Sequence, residues 1–255
     1  MEWSRRTFLK VAGTSALGLG FKPALDALAG NAGSKLLKGP SALAAKRWAM
    51  AIDLAKCPLS CTDCVAACHE THNVPDFGNP KDEVKWIWRE PYGDVFPAQE
   101  HKFMGAGWKE KSVIVLCNHC EEPACVRVCP TQATFKRPDG IVMMDYHRCI
   151  GCRFCVAGCP YGARSMNFRD PRPFIKKVNP DFPTRTRGVV EKCNFCVERL
   201  EQGLPPACVA ACQEKALTFG DLENSAAQIR ELLRAHFAIR RKPELGTHPQ
   251  VYYLV

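Results

Sequence analysis

The sequence predicts an α+β fold built from duplicated units, with short strands and short helices joined by long ordered loops. Three observations predict it. The chain has 255 residues and 16 cysteines, and the cysteines fall into four groups of four with none left over. The stretch "AMAIDLAKC" ahead of the first group resembles "IVMMDYHRC" ahead of the third: each is an apolar strand, then Asp, two residues, a basic residue and a cysteine. Between groups the strand-like runs are short and end at turn residues, as in "ATFKRPDGIVMMD", which reads as a hairpin turning at Pro138-Asp139-Gly140.

A chain of 255 residues is one or two compact domains' worth. Hydrophobic residues make up 46%, which excludes a disordered or membrane-spanning composition. The longest charge-free stretch near the N-terminus, Val11 to Phe21, has eleven residues. A spanning helix needs about twenty. Five segments are expected: 1–45, leader and linker; 46–112, the first cysteine group and an excursion; 113–168, a central unit with the second and third groups; 169–222, an excursion and the fourth group; 223–255, a C-terminal helix and strand.

The leader contains "SRRTFLK", Ser4 to Lys10, with Arg5 and Arg6 ahead of Phe8-Leu9 and a short, mildly apolar region. The arginine pair, the Phe-Leu and the lysine match a twin-arginine export signal in register. Small-residue cleavage sites follow at Ala27-Leu28-Ala29 and Ala42-Leu43-Ala44. That route exports proteins already folded around their cofactors, so the thiols would be committed before reaching an oxidising compartment. A disulfide framework, which the even cysteine count formally allows, is the weaker reading.

The first group is "CPLSCTDCVAAC", Cys57, Cys61, Cys64 and Cys68. Val113 to Leu116 is a β-branched run leading into the second, "CNHCEEPACVRVCP", Cys117, Cys120, Cys125 and Cys129. The third is "CIGCRFCVAGCPYGA", Cys149, Cys152, Cys155 and Cys159, with a short helix expected over Phe154 to Gly158. The fourth is "CNFCVERLEQGLPPACVAAC", Cys193, Cys196, Cys208 and Cys212, with helices over Phe195 to Glu201 and Ala207 to Ala211. Short strands are expected at Ala163 to Phe168 and Ala216 to Phe219. Asn224 or Ser225 can cap a helix with Ile229, Leu232 and Leu233 on one face, and "QVYYLV" closes the chain as a strand. Residues 73–112 and 169–188 carry none of the cysteines and read as long ordered excursions.

The chemistry is clearest in the third group. Cys149, Cys152 and Cys155 recur every three residues, so one loop can wrap three sulfurs around a compact object. Cys159 lies a helical turn further on and faces away from it. The run C-x2-C-x2-C-x3-C-P is the bacterial ferredoxin pattern, in which three thiolates hold one [4Fe–4S] cluster and the fourth ligates a second. Pro160 then stops the helix. All four groups end in C-x3-C. The expected fold is therefore one of bacterial-ferredoxin-like units. A structural zinc site suits the run poorly, because zinc takes four ligands, usually from two separated C-x2-C knuckles.

Residues 46–255 resemble the four-cluster ferredoxin-like iron–sulfur subunits of membrane-bound respiratory complexes, the electron-transfer subunits of polysulfide, nitrite and dimethyl sulfoxide reductases. The resemblance rests on "CNHCEEPACVRVCP", "CIGCRFCVAGCPYGA", "EKCNFCVERLEQGLPPACVAAC" and "RKPELGTHPQVYYLV". Within that family, "CPTQATFKRPDGIVMMDYHRCIGCRFC" and "NFRDPRPFI" look most similar to the O subunits of Dsr transmembrane complexes of sulfur-metabolising prokaryotes. The resemblance implies four [4Fe–4S] clusters with crossed ligation: Cys57, Cys61, Cys64 and Cys212; Cys117, Cys120, Cys125 and Cys159; Cys149, Cys152, Cys155 and Cys129; Cys193, Cys196, Cys208 and Cys68. It implies an electron relay with no catalytic residues of its own. It places the chain on the exported side of the membrane, in a hetero-oligomeric complex. The implied partners are an integral-membrane, quinone-reactive subunit and a multihaem cytochrome c or molybdenum-enzyme subunit. Two departures stand out. Three residues separate Cys57 from Cys61 where the ferredoxin pattern has two, so that loop must bulge, and His69 and Gln213 replace the proline after the last ligand.

His69, His72, His101 and His119 are the histidines that could ligate haem or metal, with hydrogen bonding the commoner role. Trp86, Trp88 and Trp108 could mark an interface, with packing the commoner fate. The chain has no G-x-G-x-x-G, G-x-S-x-G or P-loop motif. Its net charge is +9, of which the leader to Ala29 holds +2. Four clusters at about −2 each bring roughly −8, so the loaded protein is close to neutral and nucleic acid is not an expected partner.

Overall fold

The computed structural model describes residues 42–109 and 111–255. The "SRRTFLK" leader and its first cleavage site lie outside the described residues. The second candidate cleavage site is within them, and there Leu43 N–H donates to Leu200 O at 2.8 Å.

The core sheet joins the two ends of the described chain. It has the order β8-β1-β10-β9, with β1 at Trp48–Asp53, β8 at Leu217–Asp221, β9 at Ala238–Ile239 and β10 at Val251–Leu254. β1 runs parallel to β10, Met50 opposite Val251, and antiparallel to β8, Met50 opposite Phe219. Both faces of β1 are covered. Met50 and Ile52 enter the main core, while Ala49 and Ala51 meet Ile229 of the helix Gln228–Ala235. The alanines let that helix approach closely, and a Cβ on Gly220 would stand 3.0 Å from Ile229 Cγ2. Asn224 and Ser225 do not cap this helix. Its N-cap is Ala227, and Asn224 Oδ1 accepts from Ala226 N–H in the preceding turn instead.

The excursion at 73–112 is not a loop throughout. Strand β2 (Ile87–Pro91) pairs antiparallel with β3 (Ser112–Leu116), Ile87 opposite Leu116. Ile87, Trp88 and the β3 residues Val113 to Leu116 are buried, which is the packing that draws the segment into a sheet. The hairpin forms as its turn residues predict: β4 (Thr134–Lys136) pairs with β5 (Val142–Met144), and Gly140 takes the left-handed φ of 85° in the turn. Strands β6 (Ser165–Met166) and β7 (Val190–Glu191) pair across the second excursion. That excursion is pinned by Arg185, whose guanidinium meets Glu191 at 2.6 Å with both side chains fully buried. Arg185 also donates to the carbonyls of His72 and Asn73. Trp86 Nε1–H donates to the same Glu191 carboxylate. Trp86 and Trp88 are therefore packing residues.

The matched Asp-x2-basic-Cys segments form the same turn twice. Asp53 Oδ1 accepts from Ala55 and Lys56 N–H, and Asp145 Oδ1 accepts from His147 and Arg148 N–H. Each aspartate also pairs with the basic residue three positions on, Lys56 at 3.1 Å and Arg148 at 3.3 Å. The strands behind these turns differ: β1 is a central strand of the main sheet, and β5 belongs to a two-stranded hairpin. Among the described residues no helix is long and apolar enough to cross a membrane.

Candidate metal centres

Each cysteine group sits where a strand ends and a short helix begins. Helix α1 (Asp63–Thr71) carries Cys64 and Cys68 one turn apart. Helices α4 (Ala124–Arg127), α5 (Phe154–Ala157) and α7 (Ala207–Ala210) follow the short helices α2 (Tyr92–Val95) and α3 (Ala106–Lys109), with α6 (Val197–Glu201) between α5 and α7. α4, α5 and α7 each present the third cysteine of their group, Cys125, Cys155 and Cys208. Left-handed residues bend the chain directly before α5, at Arg153 (φ 64°), and before α6, at Cys196 (φ 52°), and His119 (φ 41°) bends the loop that leads to α4. Gly151 has φ 69° and lies against the Gly188 carbonyl, so a Cβ there has no room.

The structure brings cysteines together across groups. Cys64 is flanked by Cys57, Cys61 and Cys212, and burial together with these thiols pushes its pKa up to about 12. Cys68 turns away from that set: burial and the nearby Cys196, Cys193 and Cys208 push it well up. Cys120, pushed up to about 12 mainly by burial, faces Cys117, Cys125 and Cys159. Cys155 packs in a separate small cluster with Cys129 and Cys149. Cys152 lies half-buried on the loop between Cys149 and Cys155. Contacts also run between sets: Cys208 with Cys64, Cys193 with Cys117, and Cys155 with Cys125.

The donor chemistry fits iron–sulfur clusters. All sixteen thiols are free of disulfides. No three His, Cys, Asp or Glu side chains among the described residues converge closely enough to hold one metal ion. A small pocket is lined by Cys117, Cys120, Cys125 and Cys159 together, with Pro160 and Arg164 in its wall. Backbone N–H groups already point at sulfur: Thr134 at Cys129 (3.5 Å), Phe195 at Cys193 (3.4 Å), Ala207 at Cys196 (3.3 Å) and Ala216 at Cys212 (3.3 Å). Such donors stabilise bound thiolates and set cluster potentials. Binding metal displaces the protons that burial holds on Cys64, Cys120 and Cys193.

Residues that carried no motif also shape the site. The bulge between Cys57 and Cys61 is braced by Arg89 from β2, whose guanidinium donates to the Cys61 carbonyl and to Pro58 O at 2.9 Å. Arg164 donates to Cys125 Sγ at 3.2 Å, and Lys192 Nζ donates to the carbonyls of Val142 and Cys193. Both cations are buried. Spacing does not reveal them, because a buried Lys or Arg looks like any other in sequence. His69 and His119 bond the backbone, while His72 also stands 3.6 Å from Cys68 Sγ and 3.8 Å from the Glu198 carboxylate. His69 pairs with Ile87 O at 3.3 Å and His72 Nδ1 with Cys68 O at 2.9 Å, and His119 Nδ1 accepts from Val142 N–H at 3.1 Å while its ring stacks on Phe195. Burial, with Lys192 and Arg164 nearby, keeps His119 neutral by pushing its pKa well down. His101 is exposed.

Known proteins resemble this chain over most of its length. Residues 112–172 and 178–222 match the family described as a 4Fe-4S dicluster domain. The chain is 39% identical to the Hdr-like menaquinol oxidoreductase iron-sulfur subunit 1 of Archaeoglobus fulgidus, covering 98% of this chain and 97% of that protein. It is 37% identical to the menaquinone reductase iron-sulfur cluster-binding subunit of Nitratidesulfovibrio vulgaris, over 82% of this chain and 88% of that one. With the B subunit of the tetrathionate reductase of Salmonella typhimurium the identity is 36%, over 100% and 89%. The thiol sets, the N–H···S donors and these full-length likenesses agree, and the chain belongs to the family of [4Fe–4S] electron-transfer subunits of oxidoreductase complexes, which are not catalysts on their own.

Proposed function

We infer that this chain carries four [4Fe–4S] clusters and relays electrons between a quinone-linked integral-membrane subunit and a haem- or molybdenum-bearing partner on the exported side of the membrane. The crossed proximity of the thiols supports the reading: Cys212, Cys68 and Cys159 each lie with the other three cysteines of a partner group, and Cys129 packs with Cys149 and Cys155. The four sets then follow Cys57/Cys61/Cys64/Cys212, Cys68/Cys193/Cys196/Cys208, Cys117/Cys120/Cys125/Cys159 and Cys129/Cys149/Cys152/Cys155, in a line linked by the contacts between sets. When bound, the clusters supply one-electron redox chemistry. The protein's residues fix their spacing, exclude water from them, and aim N–H groups at their sulfurs. The quinone link is supported by the relatives named for menaquinol and menaquinone, and the export by "SRRTFLK".

A Dsr-type sulfur-metabolism complex is the partner context we favour, on the likeness of residues 129–155 and 167–175. The alternative, the iron–sulfur subunit of an exported molybdenum oxidoreductase, is supported by the likeness to the tetrathionate reductase chain. Anaerobic iron and acid-labile sulfide analysis of the native complex should give about sixteen of each per chain. Stoichiometric zinc with little iron would sink the reading. The proteins that co-purify separate the two contexts: a multihaem cytochrome c for the first, a molybdenum subunit for the second.

A further inference from the structure

Two buried cations among the described residues, Lys192 and Arg164, have no carboxylate partner, and Lys192 Nζ is met instead by the carbonyls of Val142 and Cys193. Arg185 has Glu191, and Arg241 has Glu90 at 3.6 Å. Arg164 is just as buried, and among the described residues no carboxylate stands within ion-pair distance of it. An arginine cannot shed its proton to escape this. An uncompensated buried cation is strongly destabilising, so its counter-charge must lie in what surrounds it. What surrounds it is sulfur. Nη2 donates to Cys125 Sγ at 3.2 Å, Nη1 is held by Thr134 Oγ1 at 3.1 Å and Met144 Sδ at 3.7 Å, and Cys155 stands near the same guanidinium. Cys125 and Cys155 belong to different sets, so one guanidinium stands beside both.

We propose that Arg164 is a positioning residue that raises the reduction potentials of the two central clusters, those of Cys117/Cys120/Cys125/Cys159 and Cys129/Cys149/Cys152/Cys155; this rests on the ligand sets inferred above. Reduction adds one electron and one negative charge to a cluster. A fixed positive charge bonded to a ligand sulfur of one set and standing near a ligand sulfur of the other favours that step, and the charge-assisted N–H···S bond to Cys125 strengthens as its sulfur gains electron density. The clusters of Cys57 and Cys68 are out of this guanidinium's reach, so the effect is confined to one half of the relay. Thr134 and Met144 hold the fork in place on the hairpin strands β4 and β5. This gives the hairpin a role beyond packing.

The test is an EPR-monitored potentiometric titration, with dithionite as reductant, of the cluster-loaded full chain in its complex. Arg164→Met removes the charge while keeping an unbranched side chain of similar reach. It should make reduction of both central clusters at least tenfold less favourable, about 59 mV lower for a one-electron couple. The outer two should change by less than threefold. Arg164→Lys, which keeps the charge, should restore most of the loss. Iron content separates this idea from the one beneath it. An unaltered protein without iron defeats the ligand reading. Full iron with both central potentials within threefold of the unaltered protein overturns the role of Arg164. If Arg164→Met does not retain iron, the unaltered protein decides. With 15N-arginine, the reduced central signals should show a nitrogen hyperfine coupling that vanishes in Arg164→Lys, and no coupling there overturns the proposal.

Discussion

Cys159 is the residue on which crossed ligation turns. It follows Cys155 by four positions, packs beside Cys120 rather than with Cys149, and is raised in pKa by burial and by Cys117. Cys159→Ser should therefore damage the cluster of Cys117, Cys120 and Cys125 and spare its sequence neighbours'. Site-resolved Mössbauer or EPR spectra of the variant would check this, and loss of the Cys149/Cys152/Cys155 signal instead would mean that each group binds its own cluster. The offset of the fourth cysteine is legible in the C-x3-C spacing and the trailing proline. Arg164 is not legible. It stands just past "CPYGA" as one of 35 lysines and arginines, and only the fold reveals that its side chain turns inward between two cysteine sets.

At the scale of elements, the parts nearest the cysteines are readable in the sequence and those that depend on long-range pairing are not. The β4–β5 hairpin and the Asp53 and Asp145 turns follow from local residues, since a short polar side chain and a glycine decide them without help from elsewhere. The β2–β3 pairing inside the first excursion escapes a sequence reading because Ile87 and Trp88 are followed at once by Arg89, Glu90 and Pro91, which hide the strand pattern. The apolar stripe places the C-terminal helix, but its cap differs from the expected one because Asn224 spends its side chain on the turn before the helix. Ile229 alone of its stripe is fully buried, against Ala49 and Ala51. Ile229→Ala leaves a cavity that alanines cannot collapse into, at about 2–4 kcal/mol. The expected outcome is a thermal midpoint lower by several degrees with unchanged iron content, read by calorimetry alongside iron analysis, because none of the cysteines touches this helix's apolar face. Loss of iron at ambient temperature would show that the sheet and the cluster loops are one cooperative unit.

Across the whole molecule, the sequence repeat suggests two ferredoxin-like units, and the thiol contacts would join the four proposed sets end to end. The outer set of Cys57 adjoins that of Cys68 through Cys64 and Cys208, that one adjoins the set of Cys117 through Cys193, and the last contact runs from Cys125 to Cys155. Dipolar coupling between unpaired electrons falls with the cube of their separation, so a line makes a definite forecast: each reduced cluster broadens only its neighbours. Cys120→Ala removes a ligand that belongs to one set alone and adjoins the inner junctions without forming them. In this variant the cluster of Cys129/Cys149/Cys152/Cys155 should lose its coupled partner, and its fully reduced EPR signal should narrow and relax more slowly. The clusters of Cys57 and Cys68 should remain coupled to each other as before. Electrons entering at one end should no longer reach the other at the native rate. If the signal of the Cys149 set stayed broadened, or if the Cys57 and Cys68 signals uncoupled, the order of centres drawn from the thiol contacts would be wrong, and the relay would have to branch.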